Sequence, residues 1–422
     1  MSLGLHPDCQ QRLIEKIADL LGDVKVKNGN VLVVDSYMGF FELDSVLPES
    51  GSTRDFLEQY IGETPTFRFM VDTLAKELEE NLQYKSDAAS TPLTNLEGYK
   101  DTRAIARRLV DDFESLPQEY SLTISFANDF GQLFAQIFDE YELGVSARIL
   151  KHTDVFDEKF PHPLPRTLLG LSSPKEWNLA FAYFQVKVTG FISDWQNTAP
   201  IEQAVSVVKS FFGLGIAVRL YKINQKGHQN MPFNLDSYLT IHRRTSTEWR
   251  FEREAKLDAS LAKTFQGLRL DDLEGRLDSD SKKTDWIINQ LRLIKPAFED
   301  NQQARKIMLA SQWLLDSYSG VHTVFSFLQT AVVLEILLGD KARSDLMGLG
   351  ELLGNRCAYL IANSYKEREY ILKTFKDFYD VRSQIVHRGR TRLGFRETFL
   401  LFQLQKVCSR VIRKELELLE QN

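Results

Sequence analysis

Residues 379–390 read Tyr379-Asp380-Val381-Arg382-Ser383-Gln384-Ile385-Val386-His387-Arg388-Gly389-Arg390, a basic run in a chain whose net charge is −6. Upstream of it Ile371, Phe375, Phe378 and Val381 recur at the i, i+4, i+7, i+10 spacing of one helix face, and Gly389 marks a helix end. Residues 366–386 are therefore predicted as a helix that carries Arg382 and His387 near its C-terminus. Five residues of ideal helix turn about 500°, which leaves those two side chains about 140° apart around the axis. A site using both needs an irregular helix, or two copies meeting on a two-fold axis.

Working outward, four more helical patterns share the last third of the chain: 301–317, 322–338, 343–362 and 395–419, with breaks at Gly320, Gly339, Asn363/Ser364 and Gly389. They predict an all-α bundle over 301–422, a normal domain size. Before it the patterns are mixed. Residues 30–41 and 177–191 alternate like half-buried strands, and helical periods cover 66–81, 101–113 and 200–212, the last stopping at Gly213. Residues 1–270 are thus predicted as an α+β region, open to subdivision at the proline-rich stretch 151–176. Residues 271–300 follow as a linker or connecting helix.

Composition supports two folded parts. The chain has 422 residues, 43% hydrophobic and 26% charged, close to the average for soluble globular proteins and too long for one ordinary core. Charge is unevenly spread: residues 301–422 carry 18 Lys and Arg against 13 Asp and Glu, a net of +5, on a remainder of −11. Arg382, Arg388, Arg390, Arg392 and Arg396 concentrate that positive charge and point to an anionic partner. The alternative is a solvated helix face.

Three cysteines, Cys9, Cys357 and Cys408, show no CxxC spacing, so neither a disulfide framework nor a zinc site is expected, and a cytoplasmic setting is. The N-terminus lacks the pattern of a signal peptide. The uncharged stretch Ser317–Leu334 contains Ser, Gly, His, Thr and Gln and is expected to be a buried helix rather than a membrane span. Gly213-Leu214-Gly215 follows a helical pattern and lacks a third glycine, so no dinucleotide loop is implied, and no GxSxG, HExxH or Walker pattern occurs. His162, His228, His242 and His322 are scattered and expected to be surface or satisfied core residues. The Phe325/Phe327 and Phe399/Phe402 sets are expected in the core.

The last third resembles an Apea-like HEPN domain, a family of helical bundles whose nuclease members carry an R-x4-6-H motif. The likeness rests on Ala331–Asp340, on Leu352–Leu360 and on Phe378–Gly389 with its Arg382-x4-His387, and covers a quarter to a third of the chain. Arg148 and His152, one residue closer together, show how often such pairs arise by chance. The resemblance implies a metal-independent endoribonuclease without cofactors, with Arg382 and His387 of two protomers lining one cleft of a homodimer. It implies Ser383 in a place where many members carry Asn, Asp or His, and Glu335 and Arg356 as supporting polar residues, read first as an ion pair that orients the bundle. Arg388, Arg390, Arg392 and Arg396 would contact the RNA backbone. It also implies a bacterial anti-phage defence or toxin-type effector, restrained or triggered through its N-terminal region by a phage-derived or regulatory partner, with no membrane association. The alternative is a non-catalytic HEPN dimerisation or nucleotide-binding sensor module.

Overall fold

A computed structural model of the protein describes residues 3–80, 89–126, 128–161, 181–193, 199–223, 238–245, 247–271, 273, 275–319, 322–339 and 348–421. His162, His228, Asp340 and most of the stretch 151–176 lie outside them. The chain divides into two compact units: residues 1–120 with 188–203, and residues 121–187 with 204–422. The division is discontinuous in sequence. In the second unit an α+β part is followed by a run of helices to the C-terminus. Among the described residues no helix is long and apolar enough to cross a membrane.

The first unit begins with α1 (Pro7–Leu21), whose Leu13, Ile17 and Leu21 are fully buried. Short strands β1 (Lys25–Lys27), β2 (Val31–Leu32) and β3 (Thr91–Pro92) form a sheet of order β2-β1-β3. The strand expected over 30–41 is confined to β2; 3₁₀ turns follow at 34–36 and 38–46. Ser36 explains the change, because its Oγ donates to the Val33 carbonyl (2.7 Å) and accepts from the Lys25 amide (2.8 Å), and such local bonds compete with a sheet ladder. Helices α2 (Ser52–Ile61), α3 (Pro65–Glu80) and α4 (Thr102–Glu114) complete the unit's described helices up to residue 120. Asp101 caps α4 by accepting from the Arg103 and Ala104 amides.

The second unit holds a six-stranded sheet. Its strands are β4 (Gln118–Ser125), β5 (Glu140–Glu142), β6 (Ala147–Lys151), β7 (Ala182–Gly190), β9 (Tyr238–Arg244) and β10 (Trp249–Lys256), in the order β10-β9-β4-β7-β6-β5. β5–β6, β6–β7 and β9–β10 are antiparallel, and a bulge interrupts β10 at Phe251/Arg253. A separate pair joins β8 (Tyr221–Ile223) to β11 (Leu268–Leu270). Short helices α5 (Asn128–Ile137), α6 (Asp154–Lys159) and α8 (Ala259–Gly267) lie between strands in sequence.

Helix α7 (Ala199–Ala217) joins sheet to helices within this unit. Phe211 stacks on Phe184 of β7, centroids 4.5 Å apart. Its opposite contacts are with α10 (Gln302–Ser319), where Lys209 pairs with Asp316 at 2.6 Å and the Ser210 hydroxyl donates to the Met308 carbonyl at 3.1 Å. The helix does not stop at Gly213 as expected. A Cβ on Gly213 would stand 2.0 Å from the Ser311 carbonyl oxygen, and one on Gly215 2.3 Å from the Tyr221 ring. Both glycines serve close packing inside a continuing helix, which outweighs their poor helix propensity of about 1 kcal/mol each.

The remaining helices follow the sequence reading where they are described, the start of the helix expected over 343–362 lying outside the described residues. α9 (Asp280–Ile294) occupies the expected linker, and α10 is followed by α11 (Thr323–Leu338), α12 (Leu349–Ile361), α13 (Tyr365–Arg388) and α14 (Phe395–Gln421). α13 buries Ile371, Phe375, Phe378, Val381 and Ile385, with the Phe378 ring 5.0 Å from that of Phe327 on α11. Its N-terminus carries a double cap: the Ser364 hydroxyl accepts from the Glu367 amide, and the Glu367 carboxylate accepts from the Asn363 amide at 2.8 Å. Glu367 also pairs with Arg410 of α14 at 2.7 Å. Gly350 and Gly354, one turn apart on α12, let α13 approach so closely that a Cβ at Gly350 would meet the Tyr379 ring at 2.8 Å.

Candidate functional site

α13 is an uninterrupted α-helix from Tyr365 to Arg388, so the ideal angular separation holds for Arg382 and His387. They take different surroundings. Arg382 turns toward α11, where its Nη2 lies 3.1 Å from Glu335 Oε1. The Tyr379 hydroxyl donates to the same Glu335 oxygen at 3.5 Å, and the Arg382 guanidinium sits 6.0 Å from the Tyr379 ring centroid. This Glu335–Tyr379–Arg382 cluster is semi-buried, the two charged side chains being 28% and 29% exposed. Arg382 Nε is buried and has no hydrogen-bond partner among the described residues. Burial, followed by the nearby Glu335 charge, pushes the Tyr379 hydroxyl well above its ordinary range, so it stays a donor at neutral pH.

His387 is exposed in the last turn and has no side-chain partner among the described residues. A cation at that end is favoured by the helix dipole. The helix closes at Gly389, in the left-handed region with φ 64°, whose amide donates to the Gln384 carbonyl. Glycine takes that conformation without steric cost.

Behind it, Arg390 clasps the connection to α14. Its guanidinium donates to Gln384 Oε1 at 2.8 Å, to Glu397 Oε2 at 2.6 Å and to the Arg392 carbonyl at 2.9 Å. Glu397 in turn accepts from the Gly394 amide at 2.5 Å. Arg390 is thereby occupied internally, whereas Arg388, Arg392 and Arg396 are exposed with no ion partner among the described residues. Ser383 is exposed beside Arg382 in sequence.

Arg356 of α12 donates from Nη1 to the Leu338 carbonyl at the end of α11, at 2.7 Å. Among the described residues, Glu335 takes Arg382 as an ion partner. Of the scattered histidines, the two described are His242, buried with Nε2 3.0 Å from the Pro161 carbonyl oxygen, and His322, which precedes α11 at the surface. Arg148 is held by Glu140 and Gln185, and His152 faces Asp157.

The aromatic expectation is overturned in part. Phe327 is fully buried, but Phe325, Phe399 and Phe402 are exposed. The core face of α14 is formed by Leu400, Leu401, Leu404, Val407, Cys408 and Val411, so helical rotation turns Phe399 and Phe402 away from it. With Phe395, 90% exposed, they make an i, i+4, i+7 stripe directly after the arginine-rich loop. Phe395 was missed because its periodicity fits a core face equally well; only the position of the true core strip separates the two.

No protein-family model, no curated protein and no solved structure matches the chain.

Proposed function

We propose that the C-terminal helices bind RNA at the 387–396 tip and cleave it without a metal ion, in a two-fold assembly to which each copy supplies Arg382 and His387. The observation that carries this reading is an exposed His387, without a side-chain partner among the described residues, followed by the exposed Arg388, Arg392 and Arg396 at a helix end. The continuity of α13 favours two copies, since it gives no irregular turn to bring both side chains of one chain together. The Phe395, Phe399 and Phe402 stripe gives a second copy apolar surface of a kind that monomers seldom expose contiguously.

The chemistry follows from the substrate. A ribose 2′-hydroxyl attacks the adjacent phosphorus once a base takes its proton, a task an imidazole commonly performs. The leaving 5′-oxygen takes a proton, and an arginine fork stabilises charge gathering on the phosphoryl oxygens. The products carry 2′,3′-cyclic phosphate and 5′-hydroxyl ends, and DNA lacks the nucleophile. Arg382 is paired with Glu335, so its role in cleavage requires it to exchange that carboxylate for phosphate. The test is cleavage of end-labelled RNA in EDTA by the full chain beside His387→Ala and Arg382→Ala, with cyclic-phosphate ends lost in both.

The pairing of Arg382 with Glu335 and Tyr379 favours one second reading: a helical module that binds without chemistry, in which Arg382 ties α13 to α11. Under it, both variants bind RNA or a partner and neither the wild type nor the variants cleave. The N-terminal residues then serve as sensor in either reading, and a bacterial defence or toxin role belongs to the first.

A further inference from the structure

Within the first unit a cavity of about 230 Å³ opens between the 3₁₀ segment 38–46, the helices α2 and α3, and the chain at 191–193. That is the liquid volume of roughly eight waters at about 30 Å³ each, enough for a small two-ring molecule. Its walls are aromatic: Phe41 and Phe67 stack 3.6 Å apart at 11°, with Tyr37 at 6.3 Å from Phe67, and Phe191 lines the buried side. Two polar features face the same space. The Asp72 carboxylate is buried and already balanced, by Lys76 Nζ at 3.1 Å and by the Ser193 hydroxyl at 3.0 Å. Arg68, one turn earlier on α3, is half-buried in the lining and has no ion pair or side-chain hydrogen bond among the described residues.

A half-buried guanidinium beside apolar rings, with no ion partner among the described residues, is placed to receive an anion. Thr64, also in the lining, holds a left-handed backbone with φ 54°, a conformation unfavourable for a β-branched residue. Its carbonyl accepts from the Arg68 amide at 3.1 Å, so the strained residue starts the turn that carries the arginine. Strain of this kind persists where surroundings over-determine it, often at ligand sites.

We infer that this cavity binds a small planar aromatic molecule bearing one carboxylate or comparable anionic group, with its rings between Phe41/Phe67 and Phe191 and its anion on Arg68. The inference is independent of the nuclease reading. The occupant is an organic anion rather than a peptide or nucleic acid, because the volume admits about two fused rings and one charged group.

The probe is 2-naphthoate, compared with its neutral isostere 2-naphthamide, on the full chain by titration calorimetry and by methyl NMR of Ile61 and Val71, which both line the cavity. Naphthoate is expected to shift both methyl signals and to bind about tenfold or more tighter than the amide, the size of a charge-assisted contact. Arg68→Gln removes that preference while leaving amide binding unchanged, and Arg68→Lys keeps part of it. Equal affinities for acid and amide, no naphthoate binding up to its solubility limit, or binding that leaves Ile61 and Val71 unmoved would each overturn the assignment. The acid-to-amide comparison is made on the unaltered protein, so a variant that fails to fold does not rescue it.

Discussion

Glu335→Gln tests how the Arg382 cluster is held. The carboxylate makes one charge-assisted contact to Arg382 at 3.1 Å and one long hydrogen bond to Tyr379 at 3.5 Å. A charged hydrogen bond contributes roughly 1.5–3 kcal/mol when buried, but both side chains keep more than a quarter of their exposure, and solvent screening lowers the figure to about 1–2 kcal/mol. The amide can still accept from Tyr379, so the loss comes almost wholly from the ion pair. Urea unfolding of wild type, Glu335→Gln, Arg382→Met and the double variant, followed by far-UV circular dichroism, gives the coupling directly. The expected coupling is about 1 kcal/mol. Additive effects within ~0.3 kcal/mol at equal m values would refute the pairing. If Arg382 exchanges Glu335 for phosphate, the same Glu335→Gln chain binds single-stranded RNA more tightly than wild type, by up to about tenfold for the same free energy.

Three further expectations can be checked with ordinary preparations. Gly389→Ala destabilises the helix end by about 1 kcal/mol, read as a lowered melting temperature; among the described residues no atom lies within 4 Å of the added Cβ, so the cost is that of the backbone at φ 64°. Glu367 is held below the ordinary 4.5, first by the Asn363 amide and then by Arg410. Its contribution is therefore fully present above pH 4.5 and is lost as the pH falls through its lower folded value. The stability gap between wild type and Glu367→Gln is expected to be level from neutrality to about pH 5 and to close below it; a gap growing toward acid would contradict the cap. Replacing Arg388, Arg392 and Arg396 by Gln lowers the salt slope of single-stranded RNA binding by about 2, at roughly 0.7 per phosphate contact, whereas Arg390→Gln chiefly loosens the loop.

The C-terminal helices were readable because their apolar residues keep the 3.6 period and their breaks are Gly, Asn and Ser. α13 was bounded to within two residues of 366–386. Residues 30–41 misled because alternation is a property of side chains, and Ser36 diverts the backbone bonds a strand would need. β10, reading Trp249-Arg250-Phe251-Glu252-Arg253-Glu254-Ala255-Lys256, is too polar to announce itself, and its pairing with β9 supplies the order. Gly213 looked like a stop because propensity is local, while its reason for being glycine is the Ser311 carbonyl of a distant helix. At the site, the motif and the basic loop were visible in the sequence. That Arg390 is spent on Glu397 and Arg382 on Glu335 was not, since both facts depend on which way each helix face turns.

The proposal at stake is that RNA is cut in one cleft to which two copies each supply Arg382 and His387. The most direct measurement mixes the Arg382→Ala and His387→Ala chains, each inactive alone, after subunit exchange, and follows cleavage of a labelled RNA in EDTA. Random exchange places about half of the dimers in the mixed state, each with one intact Arg and His pair, so activity is expected to return to a sizeable fraction of wild type with cyclic-phosphate ends. A mixture as inactive as its components beside an active wild type would contradict a site shared between copies, and a wild type that cuts no better than the doubly substituted chain would contradict the nuclease itself.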